Sequence, residues 1–214
     1  MPRTPRRRNI APPRDDVLAA VMATVAERGL DGLTVAGLGR EVGMSSGHLL
    51  YYFRTKDELL LRTLEWSEAR LGTERRALLD GPGTARERLD ACIALYVPDG
   101  HRDPRWTLRL EVWNRSQGAD DDARARQAAI EDAWHRDLTE LLADGIARGE
   151  FRAVGAGRTA TRLRALMDGF SVHVTVGMPG TGGEQVLDQL RAYADETLTP
   201  PGAGTPAADV TPGS

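Results

Sequence analysis

The residues with the most chemical capacity in this chain crowd between Thr34 and Lys56. Ser45, Ser46, Gly47 and His48 stand together, Tyr51 and Tyr52 follow one helical turn later, and Thr34 and Lys56 flank them. Hydroxyls, an imidazole, phenols and one ammonium are hydrogen-bonding groups suited to base edges and phosphate oxygens. Ser46 and His48 project from the first turn of a short helical pattern, and Gly47 between them allows close approach of backbone. Thr34 and Lys56 fall at helix N-termini, where exposed amides favour phosphate. Enzyme chemistry has no comparable signal: the chain has no Gly-rich phosphate loop, no nucleophile elbow and no paired metal motif, and its four histidines are scattered.

Positioning such groups against DNA takes a rigid unit, and residues 33–61 spell one out. Thr34 is placed as N-cap of a helix over 35–42 with Val35, Leu38 and Val42 inward. Gly43 supplies a turn with Met44 inside it. Ser45 caps a second short helix over 46–52, held by Leu49 and Phe53 at i, i+4. A short helix, a tight turn and a second short helix make a helix-turn-helix. Gly37 and Gly39 each cost a helix interior about 0.8–1 kcal/mol, so the spacing predicts a soft head without DNA. Before this unit, 15–28 reads as a helix with Val17, Leu18, Val21 and Val25 on one face and Gly29 as its C-terminal stop. After it, Thr55 and Glu58 have the spacing of a capping box that opens a long helix to about Leu79.

The remaining pattern is helical throughout. Helices are predicted over 84–97, 106–115, 120–148, 158–176 and 184–198, separated by Gly- and Pro-containing breaks. The fold class expected is all-α: a three-helix helix-turn-helix head on a six-helix body. The boundaries expected are 1–13 as a disordered basic arm, 14–58 as the DNA-binding domain, 59–198 as the body and 199–214 as a disordered tail. Arg3, Arg6, Arg7 and Arg8 of the arm are within reach of phosphates or a minor groove, or form a solvated tail.

Charge agrees with this division. Residues 1–60 carry 9 basic and 7 acidic residues, and the other 154 carry 19 and 24. A basic head on an acidic body suits a DNA-binding protein. Lys56 is the one lysine among 28 basic residues. No apolar run reaches the roughly 20 residues of a membrane span, and one cysteine, Cys92, fits a reducing compartment. The expected setting is the cytoplasm, with no membrane partner.

The segment LTVAGLGREVGMSSGHLLYYFRTKDELL resembles the TetR family of transcriptional regulators over about residues 15–62. The match includes Thr at the second-helix cap, Gly in the turn, small polar residues opening the recognition helix, an aromatic-aromatic-Phe end, then Lys and acidic-Leu-Leu. WTLRLEVWNRS, IARGEF and ALMDGF are similar to the betaine/choline-type C-terminal domain. The resemblance implies a ligand-binding and dimerisation role for the six-helix body: a homodimer with recognition helices in successive major grooves, a dimer interface from the last two helices, and an inducer pocket among the middle ones. It implies repression of transcription relieved by an unidentified small-molecule effector. By family position Tyr51 and Tyr52 contact phosphate or sugar, with Tyr51 also near a base, packing on the next helix being the alternative. Leu50 departs from the Tyr or Ser that many members place toward DNA, which favours thymine-methyl contact or packing.

For the effector, Trp66, Trp106, Trp113, Trp134, Phe170 and His173 are the candidate ligand-binding residues. Aromatic faces hold planar or cationic ligands, and ordinary core is the alternative for each. Glu111 and Asp168 offer carboxylates to a cation, although Asp168 also lies i, i+4 from Arg164. Glu131 and His135 have helical metal-pair spacing without a third ligand, so no metal and no cofactor are expected. The partners expected are a double-stranded DNA operator, a second copy of the chain and the effector. Two other readings remain: a DNA-binding dimer controlled by a protein partner, and an enzyme built on the helical body.

Overall fold

The computed structural model describes residues 14–201, so the basic arm and most of the tail lie outside the described residues. Nine α-helices and no strands occur among the described residues: α1 Arg14–Arg28, α2 Val35–Glu41, α3 Ser46–Phe53, α4 Lys56–Leu79, α5 Ala85–Tyr96, α6 Pro104–Arg115, α7 Asp121–Ala147, α8 Ala156–Val176 and α9 Gly183–Leu198. Single 3-10 turns at Leu30–Gly32 and Ser116–Gly118 were not among the sequence expectations. They tighten chain exits where an α-helical turn does not fit. The helices belong to two compact units: residues up to Thr73 with Gly100–Ile130, and Glu74–Asp99 with Glu131 onward.

The first unit is built on α1. Val17, Leu18, Val21 and Val25 are buried together with Leu38 of α2, Leu49 and Phe53 of α3, and Leu59, Leu60, Leu61 and Leu64 of α4. Leu108 and Val112 of α6 complete this core. Each such side chain contributes about 1.5–3 kcal/mol when fully buried, which is how two helices too short to persist alone are maintained. Gly29, at φ 67, ends α1 as expected, its N–H bonded to Val25 O. The Glu41 carboxylate on α2 accepts from Arg28 at 3.0 Å and from Thr24 at 3.4 Å, fastening α2 to α1.

Gly39 has a reason that helix propensity does not supply. A Cβ there would lie 2.5 Å from the Met44 carbonyl oxygen, because the turn folds back onto α2 and Met44 N–H donates to Gly39 O at 2.7 Å. Gly37 is less constrained: its Cβ would meet the Thr34 hydroxyl at 2.9 Å.

The second unit buries Leu89, Ile93 and Tyr96 of α5, Trp134, Leu138, Leu141 and Leu142 of α7, Leu163, Met167 and Val174 of α8, and Val186, Leu190, Ala194 and Leu198 of α9. Thr84 and Glu87 form a complete capping box at α5, whose backbone and hydroxyl bonds hold the Glu87 carboxyl below its ordinary value. α8 stops at Gly177, φ 73, where Gly177 N–H reaches Val174 O and Met178 N–H reaches His173 O. Gly145 lets the Phe151 ring lie directly against α7; a Cβ there would come within 2.3 Å of it.

Cys92 is buried in this unit, and burial pushes its thiol up to about 11. The neutral form is thus favoured, and the associated stability is present below the ordinary value of 9.0 and lost as pH rises through 11. At pH 8 the folded chain is expected to react with a thiol reagent about 100-fold or more slowly than a free cysteine. Equal rates before and after unfolding would remove this assignment.

Candidate nucleic-acid interface

The short helix α3 is fixed from both ends. Ser45 is its N-cap, accepting from His48 N–H at 3.1 Å, and Leu49 and Phe53 anchor it inward at 2% and 3% exposure. The opposite face is left open. Ser46, Gly47, Leu50, Tyr51 and Tyr52 are exposed, Tyr51 at 81% and Tyr52 at 53%. The Tyr51 exposure argues against packing on α4 as its role. His48 stacks on Tyr52 with ring centroids 5.2 Å apart, and Tyr51 meets Tyr52 edge-on at 5.8 Å. A Cβ on Gly47 would meet nothing within 4 Å. The structure therefore brings Ser46, Gly47, His48, Tyr51 and Tyr52 onto one small outward patch.

Thr34 caps α2 as expected, its hydroxyl accepting from Gly37 N–H at 3.0 Å. Lys56 is half-buried at the start of α4, and its ammonium donates to Leu33 O at 3.0 Å. It therefore ties the start of α4 to the residue before the Thr34 cap. An ammonium carries three donors, so one carbonyl leaves capacity for a phosphate.

The capping box expected at Thr55 is half formed. Thr55 Oγ1 accepts from Glu58 N–H at 3.0 Å, but the Glu58 carboxylate turns forward to Arg62 and Arg126 at 2.6–3.1 Å. Two guanidinium partners outcompete one backbone amide for a carboxylate. Burial pushes the Glu58 carboxyl up, and the Arg126 and Arg62 bonds outweigh it, leaving it below its ordinary value. Arg126 also pairs with Glu65 at 2.7 Å, and bonding first to Glu65 and then to Glu58 raises its own value. Arg115 joins Asp57 and Glu111, each at 2.5 Å. These pairs flank a cleft of about 920 Å³ whose lining includes Tyr52, Arg54, Asp57 and Arg126.

Sequence reasoning missed Arg54, which joins α3 to α4 at φ 56, ψ −53, with Thr55 N–H reaching back to Phe53 O at 2.5 Å. This is a γ-turn, a conformation costing a non-glycine about 1–3 kcal/mol. No residue type in the stretch announces it.

The effector candidates divide between the units. Trp106 and Trp113, edge-on at 6.0 Å, lie in the first with Trp66; Trp134, Phe170 and His173 lie in the second, Phe170 and His173 edge-on at 6.4 Å with His173 exposed. Every tryptophan ring carries a guanidinium of the chain: Arg70 over Trp66 at 4.9 Å, Arg109 over Trp106 and Trp113 at 5.4 and 5.8 Å, and Arg75 over Trp134 at 4.0 Å. Glu131, read as half of a metal pair, accepts from Arg164 at 2.7 Å instead. Asp168 accepts from the Tyr96 hydroxyl and lies 3.8 Å from Arg164. Glu111 is engaged by Arg115. No helix among the described residues is long and apolar enough to cross a membrane.

Both regions of the chain resemble known proteins. Residues 17–63 match the family described as bacterial regulatory proteins, tetR family, and residues 85–199 match the BetI-type transcriptional repressor, C-terminal. A regulator of Brucella anthropi named HTH-type transcriptional regulator BetI is 34% identical over 181 residues, covering 84% of this chain and 90% of the relative. One of the same name from Brucella melitensis is 33% identical over 197 residues, covering 92% and 94%. Among solved structures, a putative transcriptional regulator from Saccharomonospora viridis in complex with choline superposes with a TM-score of 0.78 at 26% identity, covering 87% of this chain and 97% of that one. With its outward α3 patch, its all-helical body and these relatives, the chain belongs to the TetR family as a DNA-binding transcriptional regulator with a BetI-type repressor C-terminal region, and not to an enzyme family.

Proposed function

We propose that the chain is a homodimeric repressor that holds two α3 helices in successive major grooves of a palindromic operator and is released by a small organic cation of choline's class. Residues 14–58 serve as the DNA-binding part, residues 59–198 as the ligand-binding and dimerisation part, and the cytoplasm is where the operator is met. The observation that carries the reading is the α3 patch: buried Leu49 and Phe53 hold the helix while Ser46, Gly47 and Tyr51 remain outside. Ser46, His48 and Tyr51 read bases; Thr34, Ser45, Tyr52 and Lys56 position the helix through the backbone of the DNA. Two heads must match grooves about 34–36 Å apart, so a ligand that favours another spacing lowers affinity. Choline is the first candidate because the Saccharomonospora viridis neighbour is in complex with choline.

The test is selection of bound DNA from a random pool, repeated with choline chloride. A palindrome lost on choline addition supports the reading; a palindrome indifferent to it removes the cation. Guanidinium ions already over all four tryptophans favour a second reading, control by a protein partner, and a choline-indifferent palindrome is its expected result.

Gly47 gives a sharper check. Gly47→Ala has room and should stabilise α3 by ~0.5 kcal/mol. If α3 backbone approaches base edges there, the same variant binds the selected operator about tenfold more weakly. Tighter melting with unchanged operator affinity would remove Gly47 from the reading surface.

A further inference from the structure

Arg75, near the C-terminal end of α4, is buried rather than solvated. Its guanidinium lies 4.0 Å from the centre of the Trp134 ring, and its Nε donates to Asp137 Oδ2 at 2.5 Å. Exposure is 4% for Arg75, 1% for Trp134 and 8% for Asp137. Trp134 is in turn braced edge-on by Tyr96 at 4.6 Å. A flat cation on an indole face with a carboxylate accepting its N–H is how proteins hold organic cations supplied from outside. Here the cation is tethered to α4. Stability alone does not call for it, because a buried ion pair at best breaks even against apolar side chains of similar volume.

The seat also has an approach. Asp137 lines a cleft of about 550 Å³, together with Asp80, Glu140 and Asp144 and with Arg76, Arg88 and Arg148. Arg88 and Arg148 both pair with Asp144, at 2.7 and 3.0 Å. Asp80 and Glu140 then remain as carboxylates with no ion-pair partner among the described residues. With Asp137 paired to Arg75, the other charges of the cleft balance, Asp80, Glu140 and Asp144 against Arg76, Arg88 and Arg148, so a small cation meets no net repulsion on the way to Asp137.

We propose that Trp134 and Asp137 form a cation site whose built-in occupant is Arg75, and that a small guanidinium compound entering through this cleft takes the seat and frees the last turns of α4. The chemistry selects guanidinium over quaternary ammonium. Both stack on an indole, but only guanidinium offers N–H groups to Asp137, and a methylated ammonium would leave that carboxylate buried without a donor. The tether gives Arg75 a high effective concentration, so an external cation competes only at millimolar levels or above. This inference does not depend on which molecule releases the operator.

The test uses the full chain with Arg75→Ala, which empties the seat. The variant is expected to melt about 10 °C lower than wild type, since Asp137 loses its counter-charge. Methylguanidinium chloride at ~10 mM is expected to restore about half of that shift. Equal concentrations of tetramethylammonium chloride and sodium chloride are not. Arg75→Met combined with Asp137→Asn, neutral and similar in volume, should fold and show no preference among the three salts. In wild type, methylguanidinium at ~50 mM should speed amide exchange over residues 74–79 where sodium chloride does not. If Arg75→Ala does not fold, the wild-type exchange measurement takes its place, and equal exchange over residues 74–79 in the two salts then overturns the proposal. Methylguanidinium raising the variant's melting temperature no more than sodium chloride does overturns the proposal.

Discussion

Gly39→Ala is expected to loosen the DNA-reading head and weaken operator binding about thirtyfold, although alanine is the better helix former. Propensity alone argues the other way, by about 1 kcal/mol in favour of alanine. The outcome turns on what the new methyl meets. It would stand 2.5 Å from a backbone oxygen, Met44 O, which no rotamer change can move. Relief requires prising the turn from α2, which stretches the 2.7 Å bond from Met44 N–H to Gly39 O and pulls on the Ser45 cap two atoms of chain later. Overpacking of this kind costs about 1–3 kcal/mol, occasionally more, and a lost buried hydrogen bond adds about 1. The net loss is ~2 kcal/mol, or about thirtyfold in affinity when folding of the head is coupled to binding. Operator titration of the variant, with amide exchange over residues 35–53, checks it. Wild-type affinity with unchanged exchange would mean that the turn has room to give.

Gly145→Ala should be the most damaging single methyl in the second unit. Its Cβ would lie 2.3 and 2.5 Å from two Phe151 ring carbons and 2.8 Å from Ala85 Cβ. Phe151 cannot slide away cheaply, because Phe151 N–H and Glu150 N–H both bond to Gly145 O. The ring is 4% exposed and Ala85 is fully buried. Ejecting the ring costs the equivalent of a phenylalanine truncation, about 3–5 kcal/mol, or roughly 10 °C in melting temperature for a chain of this size. A second change separates this cause from lost helix quality. Phe151→Leu added to Gly145→Ala should recover part of the loss, since a smaller side chain makes room for the methyl. Thermal melts of the two variants decide, and a double variant less stable than Gly145→Ala would exclude the steric explanation.

What the sequence made legible was what local rules control. The Thr34 and Ser45 caps, the Gly29 stop and the i, i+4 anchors Leu49 and Phe53 each depend on neighbours a turn away, and each is present. Helices appear where periodicity put them, with ends differing by a residue or two. The patch of candidate DNA contacts was legible for the same reason. Long-range pairing was not. Glu58 has the right spacing for a capping box, but its carboxylate is claimed by Arg126, 68 residues away. Four tryptophans could be counted as aromatic faces, but the arginine over Trp134 comes from 62 residues before its partner Asp137. Arg164 had a visible i, i+4 partner in Asp168, yet Glu131 binds it more closely, 2.7 against 3.8 Å. Gly39 looked like a defect because the backbone that approaches it belongs to a turn whose path no pattern states.

The ion pairs around the start of α4 alter what an ionic-strength experiment would count. Arg62, Arg115 and Arg126 bond Asp57, Glu58 and Glu65 on the helix that begins at Lys56, and most of these groups are partly open to water. Dissolved salt screens such pairs, so raising it relaxes the protein's own framework while it also competes for the phosphates. The measured dependence of operator affinity on salt therefore sums two processes, and read as phosphate contacts alone it overcounts them. Neutralising Arg126 and Glu58 together would remove the share of the internal response that runs through these two groups, and the slope should then fall toward the counterion release that belongs to the DNA.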